Sequence, residues 1–355
     1  MDRATIEVYE RVAAEYARRR PARVRAEAEA FGRRVAPGAV RADLGCGPGR
    51  YTSDLGVPVI AVDAAAAALD LVPDRAPHAL CIRADLEDLP FCRGALAGAW
   101  ANLSYQHLPK VRLPLALAQL QRAVGVGGPV EVTVIEGEGE GPFPDDDFPG
   151  RFFARWSAED LRRVFAGAGF DVESILLDTD QLRARLTRRR TLPDTVGPAM
   201  RLLVCGLNPS LYSADAGIAF ARPGNRFWPA ALEAGLVSSA RDPWIALRRD
   251  GVGFTDLVKR ATVAANELAA AEYAEGVDRV RWLVAWLRPR AVCFVGLSGW
   301  RAAIDRRAVA GPQPGGFGGV PAYLMPSTSG LNASSRPADL AEHLRCASLL
   351  ADASR

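Results

Sequence analysis

The sequence has few of the residues that build metal sites or disulfide frameworks. Its three histidines, His78, His107 and His343, lie far apart, without the spacing of metal ligands or of a Ser-His-Asp triad. None of its six cysteines forms a Cys-x-x-Cys pair, and several lie in apolar runs such as LLVCG and AVCFVG. We therefore expect no metal and predict buried, reduced thiols in a cytoplasmic protein.

Long apolar runs and a large charge imbalance are also missing. No stretch is long enough to span a bilayer, and the first residues, MDRATIEVYERVAAEY, are charged and helical in pattern, so we expect no membrane association. The net charge of +3 permits a nucleic-acid partner without requiring one. A chain of 355 residues that is 49% hydrophobic and 24% charged is typical of two globular domains.

Two runs of alternating strand and helix patterns indicate two α/β domains. We predict a first domain over 1–182, a basic linker over 183–199 and a second domain with a smaller sheet over 200–355. The segment 183–198 resembles a last edge strand that runs into the linker, with a boundary near Thr195. Its arginines could contact phosphates, although a solvated charged face is the favoured interpretation. The predicted strands of the first domain are 39–44, 57–62, 95–101, 129–135 and 170–177, and those of the second are 201–205, 291–295 and 322–325.

A glycine-rich segment, Asp43-Leu44-Gly45-Cys46-Gly47-Pro48-Gly49, follows the first predicted strand. Glycines there permit positive φ and a close approach of backbone amides to a ligand, although ordinary tight turns use the same residues. The second strand ends at Asp63, where a carboxylate could accept both hydroxyls of a ribose. A further acidic position, Asp85-Leu86, follows.

Together these motifs resemble a class I S-adenosylmethionine-dependent methyltransferase, over roughly residues 8–177. The resemblance implies a Rossmann-like fold in which Asp43, Gly45, Gly47 and Gly49 surround the methionine part of the cofactor. It implies that Asp63 binds the ribose. The remaining cofactor-binding residues that it implies are Asp85 and Leu86 at the adenine, Tyr16 as a cover, and Asn102.

The segment from Ala101 to His107, where this family places substrate-facing residues, does not identify a methyl acceptor. It matches neither the NPPY pattern of amino-methylating DNA enzymes nor the Pro-Cys nucleophile of cytosine methylation. A cofactor-binding fold whose catalytic role has lapsed is the alternative.

The second run carries three ordered motifs. GLNP spans Gly206 to Pro209, FARPGNRFW spans Phe220 to Trp228, and MPSTSGLN spans Met325 to Asn332. With GFTDLVKRAT between them, they resemble the mismatch-specific uracil-DNA glycosylase family, which includes thymine-DNA glycosylases. The resemblance implies a three-layer α/β/α fold and a monofunctional DNA repair glycosylase that flips a uracil, or a mispaired thymine, out of double-stranded DNA.

The resemblance also assigns roles. Asn208 would orient the attacking water, Phe220 would stack on the flipped base, and Leu331 would enter the duplex as a wedge. Phe227 and Trp228 are expected in the core. The predicted base pocket consists of Gly206, Leu207, Pro209, Ser213, Phe220 and Asn225. The predicted wedge and phosphate contacts are Ser327, Thr328, Ser329, Gly330, Leu331 and Asn332.

The first motif lacks the aspartate of the fast uracil enzymes and the last lacks their histidine, which predicts modest turnover. Because selectivity should depend on easy extrusion of the base, we also predict a preference for G·U over A·U. Two alternatives remain: a small-molecule or protein methyltransferase carrying a DNA-binding module that no longer cleaves, and a non-catalytic lesion binder. We expect a monomer on DNA, associated with the nucleoid in the cytoplasm.

Overall fold

The chain folds around two separate sheets, one in each half. The computed structural model describes residues 1–354, which divide into a unit from Met1 to Arg189 and a second unit from Arg190 onward. Both units are α/β, and the second sheet is the smaller, as the sequence predicted.

The first unit contains a seven-stranded sheet in the order β3-β2-β1-β4-β5-β9-β8. Strands β1 to β5 are parallel, and β9 and β8 pair antiparallel at one side. Its strands are β1 (Arg41–Leu44), β2 (Val59–Asp63), β3 (Leu80–Arg83), β4 (Gly98–Asn102), β5 (Pro129–Ile135), β8 (Phe170–Asp178) and β9 (Gln181–Arg188), with a separate pair β6 (Glu140–Gly141) and β7 (Phe153–Ala154). The chain order reverses between β1 and β4, and such a switch point opens a crevice at the carboxyl ends of the strands.

Helices connect the strands of the first unit. They are α1 (Arg3–Arg19), α2 (Arg25–Arg34), α3 (Ala66–Leu69), α4 (Leu113–Ala123) and α5 (Ala158–Gly167). The side chain of Asp2 caps α1 by accepting from the amide of Thr5. On the same helix Val8 and Ala13 are buried, so α1 packs through one apolar stripe.

The second unit contains a five-stranded sheet in the order β11-β10-β12-β14-β13, in which only β13 is antiparallel to its neighbour. Its strands are β10 (Leu202–Gly206), β11 (Val252–Asp256), β12 (Ala291–Val295), β13 (Gly311–Phe317) and β14 (Val320–Met325). Its helices are α6 (Leu211–Ala216), α7 (Phe227–Glu233), α8 (Pro243–Asp250), α9 (Ala270–Leu287), α10 (Leu297–Ala303) and α11 (Pro337–Ala353). The prediction that Phe227 and Trp228 belong to the core is confirmed, since both pack against Phe254 of β11.

The structure differs from the predicted linker. Residues 183–188 belong to β9, which lies inside the sheet between β5 and β8 and is therefore not an edge strand. Residues 191–196 are largely buried in the second unit, where Thr195 pairs with Phe254. The arginines of this segment form a solvated face only in part: Arg190 is exposed and pairs with Asp215, whereas Arg183 is largely buried and pairs with Glu27.

The thiols are free in the described chain, but only three of them are buried. Cys81 and Cys92 are exposed and Cys346 is half-buried, so the prediction of buried thiols holds for Cys46, Cys205 and Cys293 alone. Among residues 1–354 no cluster of three or more metal-ligating side chains is present. Over the same residues no helix is long and apolar enough to cross a membrane.

Candidate functional sites

A cavity of about 650 Å³ opens at the switch point of the first unit. Its floor is the glycine-rich turn after β1. Gly45 has a φ of +70°, and a side chain there would collide with Ser104, because an added Cβ would lie 2.2 Å from that residue's Cβ. Gly47, at a φ of +52°, faces open space instead. The turn therefore brings bare backbone to the cavity, as the glycine motif predicted.

Two buried carboxylates flank this turn. Asp63, at the end of β2, accepts from the amides of Gly47 at 2.8 Å and Ala65 at 2.9 Å. Burial raises its pKa, and these amides oppose the rise. Burial raises the pKa of Asp43 to about 7, although the hydroxyl of Thr52 donates to it at 2.6 Å. Backbone hydrogen bonds thus favour the ionised form of Asp63, whereas Asp43 receives its hydrogen bond from a side-chain hydroxyl.

Three polar atoms in the cavity lining are buried without any hydrogen-bond partner: Asn102 Oδ1, Gln106 Oε1 and Arg50 Nη2. A buried polar atom without a partner is costly, and native proteins rarely leave several in one place. Two unpaired acceptors and one unpaired donor would therefore suit a ligand that offers both N–H groups and an acceptor oxygen. Asn102 was predicted to face the cofactor, whereas Gln106 and Arg50 were not singled out.

Another part of the cavity lining is aromatic. Tyr9 of α1 contacts Tyr16 edge-on, and its hydroxyl bonds to His107 Nε2 at 3.1 Å and accepts from Arg151 at 2.9 Å. Because His107 Nδ1 lies 2.7 Å from the carbonyl of Phe152, that nitrogen must carry the ring proton and Nε2 must accept from Tyr9. Burial lowers the pKa of His107 to about 4, which keeps the ring neutral.

Three predicted cofactor residues lie outside the cavity lining. Both carboxylate oxygens of Asp85 contact the amino group of Met1 at 2.6 Å. Leu86 is fully buried, and Gly49 packs against Val72. The predicted roles of Asp85, Leu86 and Gly49 are corrected accordingly, whereas Asp43, Gly45, Gly47, Asp63, Tyr16 and Asn102 all line the cavity.

In the second unit the loop after β10 fixes Asn208. Its side-chain amide donates to the carbonyl of Arg260 at 2.9 Å and to the hydroxyl of Thr262 at 2.8 Å. No donor of the described chain reaches its Oδ1. The side chain is thus held by its nitrogen and presents a neutral acceptor oxygen.

Phe220 lies over the same loop. Its ring stacks on that of Phe227, with centroids 4.2 Å apart, and its edge would lie 3.4 Å from a Cβ placed on Gly206. Phe220 also adopts a φ of +56°, which is rare for a residue with a side chain. The amide of the next residue, Ala221, donates to Ser213 Oγ at 3.1 Å. The backbone is therefore held in a strained conformation by its neighbours.

Asp256, at the end of β11, is the site residue that sequence reasoning missed. It is the register partner of Gly206, and a side chain at Gly206 would come within 2.6 Å of its Oδ1. In the described chain no donor contacts its carboxylate. Burial raises its pKa to about 6, and Lys259 opposes the rise. The available signal was that the carboxyl ends of β10 and β11, two adjacent parallel strands, meet at one edge of the sheet.

The predicted wedge loop follows β14, and Leu331 at its tip is 84% exposed. The hydroxyl of Ser327 accepts from the amide of Ser329 at 3.2 Å, and that of Ser329 accepts from the amide of Leu331 at 3.3 Å. Each hydroxyl keeps its own proton for donation to another group.

Five predicted site residues have structural contacts instead. The Ser213 hydroxyl holds Ala221 and is buried, and Asn225 Oδ1 accepts from the amide of Phe227 at the start of α7. Thr328 is only 1% exposed, so its side chain cannot reach an external partner. Asn332 bonds within its own loop, to Ser327 and Ser335, and Leu207 packs towards Gly299. Gly206 and Pro209 remain in the loop that carries Asn208.

Two family models match the chain, one in each unit. Residues 193–347 match the family model described as Uracil DNA glycosylase superfamily, and residues 42–128 match the model described as Methyltransferase domain. The chain therefore contains a uracil-DNA glycosylase superfamily domain and a methyltransferase domain. The predicted fold class, a Rossmann-like methyltransferase fold followed by a second α/β domain, is confirmed.

Solved structures are similar to about half of the chain. The CcbJ methyltransferase from Streptomyces caelestis is 16% identical, with 53% of this chain and 100% of that chain covered and a TM-score of 0.44. A possible histamine N-methyltransferase from Thermotoga maritima is 17% identical over 52% and 100%, with a TM-score of 0.42. The 1,6-didemethyltoxoflavin-N1-methyltransferase of Burkholderia thailandensis is 18% identical over 52% and 88%, with a TM-score of 0.43.

Proposed function

We propose that the second unit is a DNA glycosylase that removes uracil, or a related mispaired base, by hydrolysis. The observation that carries this proposal is Asn208, which is anchored through its nitrogen and has no described donor at Oδ1. It follows Gly206 on the same loop, and Gly206 lies against both the carboxylate of Asp256 and the ring of Phe220. A polar acceptor, a carboxylate and a stacking ring on one loop cluster suit a flat base whose bond to the sugar is broken by water.

In the proposed reaction, Asn208 Oδ1 accepts a hydrogen bond from the attacking water and orients its oxygen towards C1′ of the sugar. The C1′–N1 bond breaks, its electron pair leaves with the base, and the water oxygen bonds to C1′. The proton released by the water passes to the Asp256 carboxylate, and the anionic base is protonated from solvent. No metal is required for any of these transfers.

Base flipping supplies the selectivity in this proposal. Phe220 stacks on the extruded base, and Leu331, exposed at its loop tip, fills the space that the base leaves. Unstacking and unpairing cost a few kcal/mol, and least at a mispair. We therefore expect faster single-turnover excision from G·U than from A·U duplexes, and equal rates would contradict this selectivity.

The test is alkaline cleavage of an end-labelled duplex that contains one G·U pair. The wild-type chain should leave an alkali-sensitive site, and Asn208→Ala should lose at least about 100-fold in excision rate while it retains duplex binding. Cleavage by the wild type together with undiminished cleavage by Asn208→Ala would remove the role of Asn208. Binding without cleavage by the wild type would favour the alternative, a methyltransferase with a non-cleaving DNA-binding module.

We propose that the first unit binds S-adenosylmethionine and transfers its methyl group to a small molecule. The residues in the cavity fit this cofactor: Asp63 faces the turn where a ribose would be held, and Arg50 supplies an unpaired donor for a carboxylate. Asn102 Oδ1 and Gln106 Oε1 supply unpaired acceptors for N–H groups. The bound cofactor would supply an electrophilic methyl group.

A small acceptor is favoured because the cofactor-side turn and the aromatic wall share one cavity, and because eight carboxylates line that cavity against four arginines. Such a surface repels a polyanion. The carboxylates are Glu27, Asp43, Asp63, Asp145, Asp146, Asp147, Asp178 and Asp180, and the arginines are Arg20, Arg23, Arg50 and Arg151.

Calorimetry with S-adenosylhomocysteine tests the cofactor site: the wild type should bind, and Asp63→Ala should bind at least about tenfold more weakly. Incubation with tritiated-methyl S-adenosylmethionine tests the acceptor class. We expect no transfer of label to duplex DNA and transfer to a low-molecular-weight cell extract, which Asp63→Ala should fail to support. Labelling of the DNA by the wild type alone would overturn the small-molecule assignment.

A further inference from the structure

A single guanidinium group joins the loop that precedes α7 to the wedge loop after β14. Arg226 Nη1 donates to the carbonyl of Ser335 at 2.6 Å, and its Nη2 donates to the carbonyls of Ser329 at 3.0 Å and Asn332 at 2.6 Å. These three carbonyls lie on both sides of Leu331. One side chain thus holds the backbone on either side of the exposed tip.

Two further contacts connect the same loops. The amide of Arg226 donates to the carbonyl of Thr328 at 2.9 Å, and Gly330 lies so close to Gly224 that an added Cβ would be 2.9 Å from its carbonyl oxygen. The side chain of Asn225, beside Arg226, accepts from the amide of Phe227 at 2.9 Å, and the ring of Phe227 stacks on that of Phe220. The wedge loop is thus fastened to the same short segment that supports the stacking ring.

We propose that Arg226 is a positioning residue that fixes the wedge loop and couples insertion of Leu331 to stacking of the base on Phe220. The inference deepens the proposed glycosylase function and depends on it. The alternative role for an arginine beside a DNA-facing loop is a phosphate contact. Here three of the five N–H donors of Arg226 already donate to protein carbonyls and its Nε is buried, which favours the loop clamp over a phosphate contact.

Fixing the loop in advance matters because Leu331 must enter the base stack at the moment when the base leaves. A loop already ordered in the free protein loses less conformational entropy on insertion. Removal of the clamp should therefore slow only those reactions in which a base has to be extruded from a duplex. A single-stranded uracil needs no wedge, so its excision reports on the catalytic groups alone.

The experiment compares single-turnover excision of uracil from a G·U duplex and from the same strand without its complement. Arg226→Gln should lose about tenfold or more on the duplex and less than about twofold on the single strand, with Arg226→Lys between it and the wild type. Arg222→Gln, an exposed arginine on the same segment, is the matched control and should change neither rate. In a Leu331→Ala background, Arg226→Gln should add less than about a further twofold loss, since coupled residues are not additive.

Equal losses on both substrates, or losses that add to those of Leu331→Ala, would overturn the inference. Hydrogen exchange of the amides of residues 327–335 in the free protein separates this outcome from failure of the glycosylase function. Arg226→Gln should speed exchange there by about tenfold or more, without changing exchange in β10 or β11. Unchanged exchange in Arg226→Gln would overturn the clamp. Faster exchange in Arg226→Gln, together with a wild-type chain that excises no uracil, would refute only the glycosylase function.

Discussion

At the scale of single residues, Asp256 differs most from what the sequence predicted. The sequence shows an acid in GFTDLVKR, but the burial that raises its pKa arises only when β11 lies beside β10. Asn208 was predictable because a strand, a glycine and a proline surround it in sequence. For Asp85 the sequence position was not sufficient. Its place along the chain predicted a contact with the cofactor, whereas in the fold its carboxylate contacts the amino group of Met1.

Replacement of Asp256 by asparagine should slow excision and remove its pH dependence. As a base, the carboxylate must be ionised, so the wild-type rate should fall as pH drops below about 6 and level off above it. We expect Asp256→Asn to be slower by about 100-fold at pH 7.5 and to show no inflection near that pKa. Single-turnover rates from pH 5 to 8.5 measure this.

The stability of the same variant separates chemistry from structural damage. A carboxyl whose folded pKa lies above its unfolded value destabilises the folded state above the unfolded pKa, because folding then disfavours the charged form. Asp256→Asn should therefore be at least as stable as the wild type at pH 7.5. A variant that keeps the wild-type pH profile would refute the proposed role, and a less stable variant would attribute the slower excision to structural damage.

Asp194 is a buried acid whose pKa is lowered, whereas that of Asp256 is raised. Lys259 donates to it at 2.9 Å, Arg279 at 2.7 Å and Thr255 at 2.6 Å, and chiefly the charges of Arg279 and Lys259 lower its pKa against the effect of burial. Asp194→Ala should destabilise the second unit by about 3–5 kcal/mol, since it leaves buried cations unpaired. The contribution is present above the unfolded pKa and is lost as pH falls through the lower, folded one.

Urea unfolding at pH 7 and at pH 3 measures this effect, and the difference between wild type and Asp194→Ala should shrink at the lower pH. Asp215→Ala is the control, because Asp215 is exposed and pairs with the exposed Arg190, so its loss should change stability by less than about 1 kcal/mol. A small, pH-independent effect of Asp194→Ala would contradict the argument.

At the scale of elements, periodicity predicted most of the apolar strands well and the strands rich in charge, proline or glycine poorly. Buried β10 and β12 are continuous apolar runs, which only a strand or a buried helix explains. Strand β13, Gly311–Phe317, contains two prolines and three glycines before its final phenylalanine, and such residues are tolerated because it lies at the edge of its sheet. Strand β9 is rich in arginine, and for that reason the sequence did not indicate that it lies inside the sheet. Its arginines are accommodated there by pairing with acids, as Arg183 does with Glu27.

Helix α1 forms one wall of the cavity, and Glu10 fastens it to α3. The two carboxylate oxygens of Glu10 accept from the amides of Ala66 and Ala67 at 2.8 Å, and these bonds lower its pKa. Glu10→Ala should loosen α1 and weaken binding of S-adenosylhomocysteine by roughly three- to tenfold, because Tyr9 and Tyr16 of the same helix line the site. Calorimetry measures this, with Glu7→Ala, an exposed acid on α1, as the control. Equal affinities for Glu10→Ala and wild type would show that the hydrogen bonds between Glu10 and α3 do not contribute to cofactor binding.

At the scale of the whole molecule, charge is divided unevenly between the units. Up to residue 189 the chain has 25 Lys and Arg against 27 Asp and Glu, and from residue 190 onward it has 19 against 14. The modest net charge of +3 therefore conceals a basic second unit and a slightly acidic first one. This asymmetry matches the proposed ligands, a polyanion for the second unit and a small molecule for the first.

The two activities should consequently respond differently to salt and to mutation. Between 50 and 200 mM salt, duplex binding should weaken by at least about tenfold, because phosphate contacts release counterions, whereas affinity for S-adenosylhomocysteine should change by less than about twofold. Asn208→Ala should abolish excision and leave cofactor affinity unchanged, and Asp63→Ala should do the reverse. Each variant is the control for the other, since both are the same chain with a single site removed. If Asp63→Ala lowered excision, or saturating S-adenosylhomocysteine changed its rate, the units would be coupled and the division of function between them would need to be abandoned.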